Sequence, residues 1–109
     1  MRKAKVLYKD EEAGCIIQSD DGLFIFRYND DWYGNSSMPS ISLTLPKTIQ
    51  VYQSDFLFPF FYNILPEGAN KEAICKQNRI DKDDYFGILM QIAKYDSIGA
   101  VRIIEIKNK

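Results

Sequence analysis

The first half of the chain alternates apolar and polar residues with a period of two. Ala4, Val6 and Tyr8 alternate with Lys3, Lys5 and Leu7, which predicts a half-buried strand. Asp10-Glu11-Glu12 reads as a turn and Gly14–Gln18 as a second strand. Ser19-Asp20-Asp21-Gly22 is a hairpin connection in which Asp-Gly supplies the positive-φ position. Leu23–Tyr28 forms the third strand, with Phe24 and Phe26 on one face and Leu23 and Ile25 on the other, so cover is expected on both sides. Short turns join these three into an antiparallel meander. Residues 29–39 are irregular. Ile41, Leu43 and Leu45 then alternate with Ser40, Ser42 and Thr44, the clearest period-two pattern in the chain, and Pro46 ends that predicted strand by removing a ladder donor.

The second half changes period. Ser54 can cap a helix, and Asp55 suits its positive N-terminal end. Two starts are open: a helix from Asp55 is bent by Pro59, whereas one from Phe58 places Pro59 at the first helical position. Leu65-Pro66-Glu67-Gly68 stops this helix at a corner, and a short helix follows at about Asn70–Gln77. Asp81-Lys82-Asp83-Asp84 supplies a cap and an acidic first turn for a third helix, Asp83–Ala93. Phe86, Leu89, Met90 and Ala93 follow the spacing of a core face, and Ile88 and Ile92 widen the arc. Ser97-Ile98-Gly99-Ala100 leads into a last strand, Val101–Ile106. The expected fold is α+β, an antiparallel sheet of about five strands packed with three short helices, as a single domain over residues 1–109.

Size and charge narrow what such a domain does. At 12.6 kDa it exposes roughly 6,000 Å² when folded against about 18,000 Å² unfolded, enough for one modest core. A complete kinase, a dinucleotide-binding enzyme or a TIM barrel needs far more chain. No histidine is present, so imidazole-based nucleophilic sites and the commonest metal ligand are missing. Residues 1–54 carry six basic and seven acidic groups, and residues 55–109 eight of each. That interleaving offers no basic stripe for phosphates, so no direct nucleic-acid binding is expected. No apolar run is long enough to span a bilayer and no secretory signal opens the chain, so the expected location is cytoplasmic and away from membranes. Cys15 and Cys75 lie within apolar runs and read as buried small hydrophobes.

Neither a glycine-rich phosphate cradle nor a Cys/His metal cluster occurs, and Asp81, Asp83 and Asp84 lack the spacing of a calcium loop. No catalytic residue, cofactor or metal is therefore assigned. An enzyme built on spatially convergent carboxylates or a Cys75 thiolate is the alternative of a different class. The one compositional excess is aromatic: seven Phe, seven Tyr and one Trp. Phe56-Leu57-Phe58-Pro59-Phe60-Phe61-Tyr62 puts rings around most of a helix, and Trp32-Tyr33 lies in a predicted loop. Exposed aromatic anchors dominate binding energy at protein interfaces, so these residues are candidates for a partner-binding face.

Four motifs occur in order: Ser40-Ile41-Ser42-Leu43-Thr44-Leu45-Pro46; Phe56–Phe61 with Asn63-Ile64-Leu65-Pro66-Glu67-Gly68; Tyr85-Phe86-Gly87-Ile88-Leu89; and Asp96-Ser97-Ile98-Gly99-Ala100-Val101. With the aromatic strand ending at Tyr28 before Trp32, the set resembles the N-terminal subdomain of HipA-type serine/threonine kinases, the toxins of bacterial persistence modules. The resemblance implies a non-catalytic subdomain that packs on a separate kinase body. A free-standing version resembles HipS of tripartite HipBST modules, an antitoxin that binds and restrains the kinase; the alternative is the N-terminal regulatory segment of a full-length HipA-like kinase. A helix-turn-helix HipB-like repressor is the implied third member of a ternary complex. In several small members an aromatic follows the corner glycine and helps form the inhibitory contact. This chain has Ala69 and Asn70 there, so either Trp32, Phe58 or Tyr62 supplies the anchor or the contact is of a different kind. Trp32, Phe58, Tyr62, Pro66, Glu67, Gly68, Ala69 and Asn70 are thus the candidate contacts.

Overall fold

The strands take their inner face from the alternation. A computed structural model describes residues 1–106. β1 (Arg2–Tyr8), β2 (Glu11–Gln18), β3 (Phe24–Tyr28), β4 (Val51–Ser54) and β5 (Val101–Ile106) form one antiparallel sheet in the order β4-β3-β2-β1-β5. Lys9 and Asp10, at φ 49° and 67°, make a two-residue turn, so β2 begins at Glu11, earlier than the acidic run predicts. The next hairpin closes as expected: Gly22, at φ 88°, donates to Ser19 O at 2.9 Å. Val6 pairs with Gly14 but Leu7 with Glu12, leaving Ala13 as a bulge whose carbonyl accepts from Asn29 N at 2.9 Å.

One face of the sheet holds the core. Ala4, Val6, Ile16, Phe24, Phe26, Tyr28, Val101 and Ile103 are buried there with Phe61, Phe86 and Leu89 from the helical half. The other face is open, contrary to the cover expected from Leu23 and Ile25. Lys3, Lys5, Val51, Gln53 and Ile104 are exposed on it, and Cys15, Ile17 and Ile25 are half-buried. Cys15 is therefore less buried than its apolar neighbours imply, although burial still pushes its thiol pKa up. Cys75 is buried, and both cysteines are free.

The stretch expected as a strand at Ser40–Leu45 is a loop. Ile41 and Leu45 tuck inward while Leu43 is 98% exposed. The buried Tyr28 hydroxyl organises it, donating to Leu45 O and accepting from Ile41 N at 3.0 Å. A Ser42–Thr44 hydroxyl contact of 2.9 Å closes the turn between. The fourth strand is β4, further on. Among the described residues four helices form where three were expected. The additional one, α1 (Asp30–Gly34), buries Trp32 against Tyr8.

α2 (Pro59–Tyr62) starts after Phe58, which resolves the proline question: Pro59 occupies the first helical position and Phe58 is extended before it. α3 (Gly68–Asn78) and α4 (Tyr85–Ala93) follow. Asp84 caps α4, accepting from Gly87 N at 3.0 Å and from Arg2 Nη1 at 2.6 Å, so one carboxylate ties the helix to β1. A methyl group at Gly87 would lie 2.3 Å from that carboxylate, which is why the position has no side chain. Among the described residues, no helix is long and apolar enough to cross a membrane.

Candidate partner-binding surface

The aromatic run divides because its helix is only one turn long. Phe56 precedes α2, in a bend held by Phe56 N donating to Ser54 Oγ at 3.1 Å, and its ring is 78% exposed. Leu57, Phe58 and Phe61 turn inward, and Phe61 packs against Phe26 with ring centroids 6.2 Å apart. Tyr62, last in the turn, points out and meets Tyr85 of α4 edge to face at 5.7 Å. Leu65 N then donates to Tyr62 O at 3.0 Å, and Pro66 prevents further helix. Gly68, at φ 57°, turns the chain into α3.

The Tyr62–Tyr85 pair is a ledge between two depressions. The larger has a volume of about 680 Å³ and is lined by Phe24, Phe56, Leu57 and Pro59, by Gln18 and Asn63, and by the exposed carboxylates Asp55 and Asp83. The smaller, about 170 Å³, lies on the other side of the ledge against Pro66, Glu67, Gly68 and Lys71. Lys71 Nζ sits 5.0 Å above the Tyr85 ring, so this ring already receives a cation on its face.

The structure brings Tyr62, Pro66, Glu67 and Gly68 together around the smaller depression. Ala69 and Asn70 are exposed on the first turn of α3, beside it but outside its lining. Trp32 and Phe58 are placed elsewhere. Trp32 is 5% exposed and donates Nε1–H to Pro39 O at 2.9 Å; Phe58 is 7% exposed. Both rings are spent on the core and offer no free face. Phe56, named above only as part of the aromatic run, is the most exposed ring at this surface, and half-buried Tyr85 joins it without having been expected there. The signal for Phe56 lies in Pro59: a helix beginning there leaves Phe56 outside the turn that buries its neighbours. Tyr85 needed the tertiary fold, because only the packing of α4 brings it to Tyr62.

Nothing in this surface is arranged for catalysis. Among the described residues, no group of three or more acidic, cysteine or histidine side chains is placed to hold a metal. Its makings are rings, a proline corner and two carboxylates, which suit protein contact.

Similarity to known proteins agrees with this architecture. The family described as "HipA N-terminal domain" matches residues 4–104. The chain belongs to that family. A HipA N-terminal domain is non-catalytic, and this one is no enzyme. A solved structure of the "N-terminal domain of HipA toxin" superposes with a TM-score of 0.70 at 25% identity, covering 100% of this chain and 96% of that one. An uncharacterised protein of Haemophilus influenzae (strain ATCC 51907 / DSM 11121 / KW20 / Rd) is 36% identical over 108 residues, 99% of this chain and 96% of the relative. The matched span takes in most of β1 and β5 and everything between them, the corner after α2 included.

Proposed function

We propose that this HipA N-terminal domain is a regulatory subunit that binds a HipA-like serine/threonine kinase in trans and restrains it, as a HipS-like antitoxin. The observation that carries the reading is the exposed aromatic corner, Phe56 and Tyr62 through Gly68, on a non-catalytic domain of a family named for the toxin. Rings left in water beside a groove are a standing incentive to bind. The Haemophilus relative is itself a small protein that this match covers to 96%. The same surface would serve in cis if the domain headed a full-length kinase, the reading favoured by the solved toxin domain. A helix-turn-helix HipB-like repressor completes the proposed complex in the cytoplasm and carries the DNA contact, because this chain's own charge is balanced.

Co-expression with a HipA-like kinase from the same genome, followed by size-exclusion chromatography, tests the reading. Co-elution at micromolar concentration is expected, together with slower kinase autophosphorylation. Separate elution contradicts it.

A further inference from the structure

We propose that the larger groove, between Phe56 and the Tyr62–Tyr85 ledge, receives a basic apolar segment of the kinase, a stretch in which Lys or Arg is flanked by aliphatic or aromatic side chains. The inference rests on the kinase-binding reading and identifies what that partner must present.

Shape comes first. At about 680 Å³ the groove has the size of a site that takes several side chains, whereas its neighbour at about 170 Å³ holds little more than one. Most of its lining surface comes from Phe24, Leu57, Pro59 and the rings, of which Phe56 stands 78% exposed. An occupant must therefore cover rings and aliphatic surface.

Charge decides the rest. The lining contains Asp55 and Asp83 and no Lys or Arg. Among the described residues neither carboxylate has an ion-pair partner, which is also true of exposed acids such as Glu11 and Asp31; what sets Asp55 and Asp83 apart is that both line a groove with exposed rings. Two carboxylates in a mostly apolar lining select a cation flanked by apolar groups. Other occupants fit worse. A second copy meeting groove to groove would oppose acids with acids, and a nucleic-acid strand would bring phosphates to the same carboxylates.

Titration calorimetry of the chain against the kinase tests this, with Asp55→Lys/Asp83→Lys as the decisive variant. Neither carboxylate makes a hydrogen bond that the fold depends on, so circular dichroism should be unchanged. The variant is expected to bind roughly 10- to 100-fold more weakly. A control with the same charge change at the opposite end of the strands, Glu11→Lys/Asp31→Lys, is expected to bind within about 3-fold of wild type. If the lysine variant fails to fold, Asp55→Asn/Asp83→Asn replaces it, with a smaller loss and a flatter salt dependence between low and moderate ionic strength. Undiminished binding by the groove variants overturns this inference and leaves the kinase reading standing. Equal loss in the control also overturns it, because the effect is then one of net charge. A wild-type chain that does not bind the kinase at all overturns both.

Discussion

α3 and α4 are consecutive helices of similar length with opposite relations to the core. α4 buries five residues in succession, Phe86–Met90, and its cap is bonded to its own third residue and to β1. α3 buries Cys75 alone, and Glu67 makes no side-chain bond at its start. Arg79, in the left-handed conformation, ends it. A helix without an apolar stripe gains little from packing, and its own propensity is marginal at 11 residues. The contrast separates two tasks. α4 and the sheet hold the fold, while α3 and the corner before it form surface, beside the rings that α2 leaves outside.

Breaking the scaffold should cost most. Leu89→Ala opens a cavity under the sheet and is expected to destabilise by about 2–5 kcal/mol in urea unfolding. A loss under about 1 kcal/mol would mean that α4 is not the core helix. Gly87→Ala forces a methyl group against the Asp84 carboxylate and disturbs both its bonds, so a loss of about 1–3 kcal/mol is expected. The matching change in α3, Glu72→Gly, should cost no more than about 1 kcal/mol. Hydrogen exchange should find α3 amides opening far below the global unfolding free energy and α4 amides near it; equal protection of the two helices would erase the comparison.

The smallest effect concerns Asp30, in the first turn of α1. A hydrogen bond from Gln50, and then the Arg27 charge, hold its carboxyl below the ordinary value. A lowered folded pKa adds stability above the unfolded value of about 4 and loses it as pH falls through the folded one. Asp30→Asn should therefore show a smaller drop in urea midpoint between neutral pH and pH 3 than wild type. An identical drop would assign the acid sensitivity to other groups.

Much of the scaffold is legible in the residues. β5 has the predicted bounds, because alternation follows a glycine turn, and α4 is marked by its cap and its apolar arc. Ser40–Leu45 deceived by the same rule: a loop that tucks Ile41 and Leu45 under Tyr28 leaves the alternation of a strand with none of its ladder. The true β4 is four residues long with one half-buried tyrosine, too little for a pattern to register. At the surface, Pro66, Glu67 and Gly68 were legible as a corner. The division of the rings was not, since whether Phe58 or Phe56 faces water depends on where a single helical turn begins.

The central claim is that the exposed rings exist to hold a kinase. Titrating a HipA-like kinase from the same genome with wild type and with Phe56→Ser/Tyr62→Ser tests it most directly, because both rings are exposed and the fold does not rest on them. Wild type is expected to bind and to slow autophosphorylation, and the double variant to bind at least about 10-fold more weakly with its unfolding midpoint nearly unchanged. Equal affinity of the two proteins would place the kinase contact elsewhere and contradict the account.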